Sequence, residues 1–401
     1  MNSPDPNRSI MNVTYNMPVL GILGGGQLAK MLSHAAHPLG FTTRVMVHNV
    51  SDALPGLNGL VSEGNWNDPA AALKFAQSVD VVTLENEFVN PDSLAAIENA
   101  GTPLYPDLSC ITLIQDKWHQ KQALIAAGLP VVTCEAVLEM GEVVDFAEKN
   151  GWPVVLKRRH QGYDGKGNAT VNTEPELDEA WKRLMVNESG LFVEAFCPFQ
   201  RELAVMVCRS PSGQLAVYPV VDTIQKDHIC HIVKAPSSLS AELKDKINQI
   251  AVGAVTAVGG IGTMGIEMFL TREGNILINE LAPRVHNSGH YTIEACHCSQ
   301  FENHIRAILN LPLGSPEMIH PASVMINLLG QGDGTGVPAG LPDALRIKGA
   351  HLHLYGKNTS SRGRKMGHVT AVGSTIEEAE QTALAASSRL TFGNPSLPAS
   401  R

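Results

Sequence analysis

Short apolar runs broken by glycines or polar clusters dominate the first hundred residues. Val19–Leu23, Thr43–Val47 and Val79–Leu84 read as strands. The first continues through Gly24-Gly25-Gly26-Gln27-Leu28-Ala29 into an amphipathic segment ending at His37, a strand–turn–helix unit. From Asp116 the pattern changes. Asp116-Lys117 opens a helical run to Ala127, stopped by Gly128 and Pro130, and Glu139–Asn150 is a second helix. Pro153–Lys157 is an apolar strand ending in a cation, and Leu191–Glu194 is another. Alternation at Leu203–Val207 and Leu215–Val220 predicts an antiparallel sheet, and Lys244–Val258 and Tyr291–Leu309 predict helices. The last stretch reads as strand Ser323–Leu329, strand His351–Tyr355, turn Gly356–Gly363, a strand near Gly367–Val372 and helix Ile376–Leu390. This is an α/β pattern followed by α+β, in more than one domain.

One stretch stands out, Gly265 to His290. Two apolar strands flank Glu273-Gly274, and a polar loop follows. A two-residue turn there sets Glu267 directly opposite Glu280, among Ile, Met, Phe and Leu. Like charges opposite one another destabilise a ladder, and burying them unpaired costs more. The pattern therefore calls for a cation between them. The plainer alternatives are two solvated glutamates on an exposed hairpin, or a turn of another length.

Composition narrows the classes. The chain has 401 residues, 44% hydrophobic and 17% charged, with a net charge of −9. That suffices for two or three domains, and it argues against a nucleic-acid surface, so any anion site is a local pocket. The seven cysteines include no CxxC pair, so neither a disulfide framework nor a zinc ribbon is expected; His286, His290, Cys296 and Cys298 have no zinc spacing either. Residues 1–17 are polar, contain Pro4 and Pro6, and read as a disordered extension rather than a signal peptide. The most apolar span, Ile250–Ile266, is broken by glycines, so no membrane segment is expected and the protein reads as cytosolic.

Three motifs carry chemistry. Gly24, Gly26 and Ala29 satisfy a dinucleotide fingerprint, but the second strand ends in His48-Asn49, without the acid a nicotinamide ribose requires. Phosphate binding and a tight packing turn both remain open for that turn. Glu85-Asn86-Glu87-Phe88 follows the third strand, where open α/β sheets bind ligands. Lys157 precedes Arg158, Arg159 and His160 and the loop Gly162-Tyr163-Asp164-Gly165-Lys166-Gly167, which suits holding and covering a polyphosphate. It is not a Walker A loop, since Asn168 stands where lysine belongs.

Together these stretches resemble the ATP-grasp superfamily and, within it, the N5-carboxyaminoimidazole ribonucleotide synthases of purine biosynthesis. The resemblance runs from Met17 to about Leu390, carried by GYDGKG at 162–167, NELAPRVHNSGHYTIEA at 279–295 and GRKMGHV at 363–369, with GGGQLAKM at 24–31 and ENEF at 85–88 in support. It implies an ATP-grasp fold with an N-terminal Rossmann-like α/β domain and a small C-terminal domain. The implied division is an extension over 1–17, the first domain over 18–115, the ATP-grasp domain with its glycine lid over 116–312, and the last over 313–401. The implied reaction is ATP-dependent carboxylation of 5-aminoimidazole ribonucleotide with bicarbonate, through carboxyphosphate. The alternative is another ATP-grasp carboxylate–amine ligase, of the formate-dependent transformylase or biotin carboxylase type.

The same resemblance implies roles. Glu267, Glu280 and Asn279 would hold Mg²⁺, with Mn²⁺ as a substitute. Lys117 and Lys157 would meet the phosphates, Gly162, Tyr163, Asp164, Gly165, Lys166, Gly167 and Asn168 would form the lid, and Glu194, Ala195, Phe196 and Cys197 the hinge that reads adenine. Glu202 would accept from the ribose, and Arg284 would stabilise the migrating phosphoryl group. Gly26, Gln27, Glu87, Tyr163 and Asp164 would seat the acceptor, with Asp164 taking the amine proton. Lys357, Arg364 and Lys365 would bind its phosphate, and Asn287, Ser288 and His290 would line the cleft. A homodimer is implied as well. The chain departs from the family pattern at Ala29-Lys30, His160, Gln161, Gln225 and Val285.

Overall fold

A computed structural model describes residues 17–57, 61–162, 167–185 and 190–394. Its first unit is a parallel sheet of five strands, β1 (Val19–Leu23), β2 (Thr42–Val47), β3 (Val61–Glu63), β4 (Val81–Leu84) and β5 (Leu104–Tyr105), in the order β3-β2-β1-β4-β5. Helices cover both faces, so β4 is buried along its whole length and its sequence runs without polar alternation. The strand order reverses between β1 and β4. The loops after these two strands, Gly24–Gln27 and Glu85–Glu87, therefore open into one crevice. The strand β3 and the helices Pro69–Ala76 and Pro91–Asn99 are additions to the elements expected from sequence.

A second, antiparallel sheet contains β6 (Cys134–Val137), β7 (Val154–Arg158), β8 (Asn168–Val171) and β9 (Leu191–Ala195), in the order β6-β9-β7-β8. Phe146 and Leu184, from the helices Met140–Asn150 and Leu177–Leu184, pack against its Leu156 and Val193.

The third sheet has nine strands. Its members are β10 (Phe199–Arg209), β11 (Leu215–Val217), β12 (Val221–Lys226), β13 (Ile229–Ala235), β14 (Gly262–Thr271), β15 (Ile276–Ala282) and β16 (Ala322–Leu329). After a small separate ladder strand β17 (Gly334–Thr335) come β18 (Ala350–Leu354), β19 (Thr359–Ser360), which pairs with β17, and β20 (Lys365–Gly373). The order is β15-β14-β10-β12-β13-β16-β20-β18, with β11 on β10. The expected small final unit thus shares its sheet with the middle of the chain, through β13–β16 pairs such as Ile232↔Ile326. The single helix expected over Tyr291–Leu309 is two, Thr292–Ala295 and Gln300–Ile308. Cys296 is extended, and Ser299 caps the second helix by accepting the Glu302 N–H.

The β14–β15 hairpin corrects the expected turn. Its loop has three residues rather than two: the Thr271 N–H donates to the Asn275 carbonyl, and Gly274 takes a left-handed φ of 82°. Pairing is thereby offset by one, with Leu270 opposite Ile276 and Met268 opposite Ile278. A bulge then takes up Asn279 and restores Glu267 opposite Glu280. Ile276, Ile278 and Leu281 all face the core with Ile266, Met268 and Leu270. Asn279 and Glu280, although adjacent in sequence, both line the cleft on the other face. Among the described residues, no helix is long and apolar enough to cross a membrane.

Candidate active site

The hairpin forms one wall of a cleft of about 1020 Å³, which also takes in the β6–β9 sheet and the loop after β4. Lys117 opens the helix Lys117–Ala126, whose N-cap Asp116 accepts from the Trp118 and His119 amides. Its Nζ lies 2.5 Å from Glu280 Oε2. Burial, then the Glu280 charge, pushes the Glu267 carboxyl up; Glu280, though also desolvated, is held well below its ordinary range by Lys117. Two half-buried carboxylates driven apart in this way, with the Asn279 amide beside them, form a hard oxygen set suited to a divalent cation shared with phosphate oxygens. Among the described residues there is no cluster of three His, Cys, Asp or Glu side chains that would hold a metal alone. His286 Nε2 is 3.6 Å from Glu267, and burial and Arg284 push that imidazole down to about 3, so it is neutral here.

One end of the cleft is built around Glu194 on β9. Its Oε1 pairs with Lys121 at 2.9 Å and its Oε2 with Lys157 at 2.6 Å. Lys157 also reaches Asn279 Oδ1 at 3.4 Å, and Lys121 donates to the Ile278 carbonyl at 3.1 Å. Burial raises a carboxyl, yet the two lysines bring Glu194 down overall. Glu194, Ala195, Phe196 and Cys197 line this end of the cleft, next to the Phe199–Phe269 ring stack at 4.6 Å. Glu202 lines the same end, pushed up to about 7 by burial. Lys121 escaped the sequence reading. A lysine one helical turn after Lys117 looks like a solvated face, yet it is only 2% exposed.

At the lid base, Lys117 N–H donates to the Arg159 carbonyl, and Arg159 pairs with Asp116. Gly162, Gly167 and Asn168 line the cleft. A Cβ on Gly167 would come within 2.6 Å of Gly162 Cα, so glycine is what lets these two positions approach. Tyr163, Asp164, Gly165 and Lys166 lie outside the described residues.

On the acceptor side the glycine turn is already filled. Glu85 Oε2 accepts the Gly26 N–H at 2.6 Å, and Oε1 accepts the Leu28 N–H at 3.3 Å. A Cβ on Gly24 or Gly26 would lie 2.5 or 2.2 Å from that carboxylate. The helix N-terminus thus receives an internal carboxyl group, pushed up by burial, where a dinucleotide would place its pyrophosphate. Gln27, beside it, lines the cleft.

Glu87 and Arg284, expected to meet different ligands, clasp each other, with Nε–Oε2 at 2.6 Å and Nη2–Oε1 at 3.3 Å. Asn287 exchanges amide hydrogen bonds with Asn327, Ser288 is buried and bonded to His286 Nδ1, and His290 lines the cleft with Lys365. Lys357 and Arg364 lie instead in a separate cavity of about 680 Å³, completed by Ser51, Asp52 and Pro55 from the loop after β2. Burial, then Arg364, pushes Lys357 down to about 8. The three basic residues expected together are therefore divided between two cavities, and the Ser51–Pro55 loop, polar and unremarkable in sequence, is a wall of the second.

Sequence profiles match three segments: a ribonucleotide synthetase preATP-grasp domain over residues 17–115, an ATP-grasp domain over 122–301, and a phosphoribosylaminoimidazole carboxylase C-terminal domain over 323–382. The chain is 40% identical to an N5-carboxyaminoimidazole ribonucleotide synthase of Synechococcus elongatus, across 92% of this chain and 95% of that protein. It is 39% identical to a phosphoribosylaminoimidazole carboxylase of Ogataea methanolica, across 90% of this chain and 68% of that longer protein. Among solved structures, the N5-carboxyaminoimidazole ribonucleotide synthetase of Thermotoga maritima superposes with a TM-score of 0.84 at 37% identity, covering 94% of this chain and all (100%) of that one. The Aspergillus clavatus N5-carboxyaminoimidazole synthase, solved with ADP and 5-aminoimidazole ribonucleotide, gives 0.85 at 34% identity, again over 94% and 100%. An ATP-grasp architecture, an acid pair bracketed by lysines and relatives aligned along nearly the whole chain lead to one assignment: the chain belongs to the N5-carboxyaminoimidazole ribonucleotide synthase family of ATP-grasp ligases.

Proposed function

We propose that the protein carboxylates the exocyclic amine of 5-aminoimidazole ribonucleotide, consuming ATP and bicarbonate and releasing ADP and phosphate. The observation that carries the reading is the Glu267–Glu280 hairpin set between the paired lysines and a separate basic cavity. Lys117 and Lys157 supply cations for the nucleotide phosphates, and Glu194 fixes Lys157 in place. Bound Mg²⁺, held by Glu267, Glu280 and Asn279, would neutralise charge on those phosphates. Bicarbonate oxygen attacks the γ-phosphoryl group and displaces ADP, giving carboxyphosphate. Arg284, oriented by Glu87, stabilises the charge that develops there. The acceptor nitrogen then takes the carboxyl group and phosphate leaves. Asp164 is the residue proposed to receive the amine proton, and Tyr163 is proposed to act with it. Closing Gly162–Asn168 excludes water, which would otherwise hydrolyse the mixed anhydride.

Lys357 and Arg364 suit the ribonucleotide phosphate, with Lys365 nearer the reacting groups. Cytosolic location and a homodimer belong to the same proposal; light scattering on the purified protein tests the second. The reaction itself is tested by ADP release with Mg-ATP, with and without bicarbonate and the ribonucleotide. Turnover that requires all three supports it. Turnover indifferent to the ribonucleotide, or sustained by formate in place of bicarbonate, overturns it.

A further inference from the structure

Beneath the acceptor side of the cleft lies a buried polar seam. Asn327 on β16, His368 on β20 and His353 on β18 are direct cross-strand neighbours and form one row across three strands. The segment after the hairpin lies along that row, and every third or fourth residue meets one member. Asn287 and Asn327 exchange amide hydrogen bonds of 2.9 and 2.5 Å. The His290 and His368 rings are 4.8 Å apart between centroids. Glu294 Oε1 lies 2.6 Å from His353 Nε2. The middle ring is fixed twice more, stacked on His353 at 4.4 Å and hydrogen bonded through Nδ1 with the Tyr355 hydroxyl at 3.1 Å. Asn327, His368 and His290 are 2%, 0% and 1% exposed, so the seam is closed to solvent at its centre.

Its two ends explain what it can do. Asn287 and His290 line the cleft, a few residues downstream of Glu280. Three residues upstream of His368 stands Lys365, which also lines the cleft. A register shift at Met366, where Leu328 pairs with Gly367 and Leu329 with Lys365, sends Met366 into the C-terminal core and leaves Lys365 on the cleft side with the seam. Apolar contacts would glue these elements in many offsets. The directional pairs, Asn287 with Asn327 and Glu294 with His353, are made in only one, with the His290 and His368 rings packed between them.

We propose that this seam is a positioning device: by locking β20 to the 287–294 segment at a single offset, it holds the acceptor ribonucleotide in line with the carboxyl group made at the hairpin. His368, its middle rung, is a positioning residue. The inference rests on the carboxylation reading. It predicts a specific defect: a displaced acceptor lets the activated carboxyl group go to water while ATP cleavage continues.

The test compares His368→Phe, which keeps a ring but loses the Tyr355 hydrogen bond, with His368→Asn, which keeps a polar partner for that hydroxyl, and with Glu294→Gln at the next rung. Phosphate release and carboxylated ribonucleotide are measured together, with KM for each substrate. In His368→Phe the KM for the ribonucleotide rises about tenfold while that for ATP stays within about twofold, and phosphate released per product climbs from about one to two or more. His368→Asn recovers part of the coupling, and Glu294→Gln shows the same defect in milder form. Variants whose coupling and KM values match the wild type overturn the proposal. So does a parallel fall in both reactions at unchanged coupling, the mark of a seam that only stabilises the fold. Should His368→Phe fail to fold, Glu294→Gln, isosteric with the native side chain, decides alone. A wild-type protein inert toward the ribonucleotide would instead refute the carboxylation reading.

Discussion

Deleting Asn279 should remove a group from the active site and leave the fold standing, because that residue is the extra one in the β15 bulge. Without it the strand reads Ile276, Leu277, Ile278, Glu280, Leu281. Strict alternation then still sends Ile276, Ile278 and Leu281 to the core and keeps Glu280 opposite Glu267 on the cleft face. The structural cost is confined to the bulge, since Leu281 stays opposite Ile266 and keeps its two hydrogen bonds with Gln120, 3.2 and 3.4 Å long, so stability should fall by only about 1 kcal/mol. Were the faces assigned wrongly, the deletion would bury Glu280 and expose Leu281, costing well over about 5 kcal/mol. Arg284 keeps Glu87, but the Asn279 amide and its contact with Lys157 are gone, so ATP cleavage should fall by about 10–100-fold. Asn279→Ala, which keeps the bulge, should show wild-type stability and a comparable loss of ATP cleavage. Urea unfolding and ribonucleotide-dependent ADP release measure the two effects. A deletion variant that does not fold contradicts the face assignment, and one with full turnover contradicts any role for Asn279 in phosphoryl transfer.

At the nucleotide end, Glu194→Gln leaves Lys121 and Lys157 facing each other without a counter-charge and should destabilise by about 3–5 kcal/mol. Lys121→Met leaves the Glu194–Lys157 pair intact and should cost only about 1–3 kcal/mol; the reverse order in urea titrations would contradict the arrangement. Gly26→Ala places a Cβ 2.2 Å from Glu85 Oε1, so the carboxylate must leave the helix N-terminus, and KM for the ribonucleotide should rise with little change for ATP. The Lys357 ammonium, pushed down to about 8 chiefly by burial, is charged below that pH and neutral above it. kcat/KM for the ribonucleotide should therefore decline as pH rises through about 8, and Lys357→Arg should move that decline to higher pH.

The opposition of Glu267 and Glu280 is legible in alternation, but the route to it is not. A two-residue turn and an unbroken ladder lead to the same pair as a three-residue turn followed by a bulge, because the two offsets cancel. Only the second arrangement puts Asn279 and Glu280 on one face, and nothing in the local hydrophobic pattern distinguishes them. Lys121 is illegible for a different reason: its partner Glu194 is 73 residues away, and a lysine on a helix says nothing of what covers it. The glycine turn was ambiguous by nature, since its filler comes from the end of β4. Long apolar strands such as β1 and β16 were plain because burial on both faces leaves one reading. The strands β12 and β13 were not, because Asp222, Gln225, Lys226, His231 and Lys234 interrupt their apolar positions.

The shared third sheet has a bearing on how this protein could be divided. A chain cut at residue 312 would lose β16, β18 and β20 and leave β13, Ile229–Ala235, as a bare border with unpaired amides and carbonyls. Such a border is an invitation to pair with a neighbouring chain. The C-terminal segment is thus less an appended module than a selvedge, the finished edge without which the rest of the cloth would ravel into aggregates.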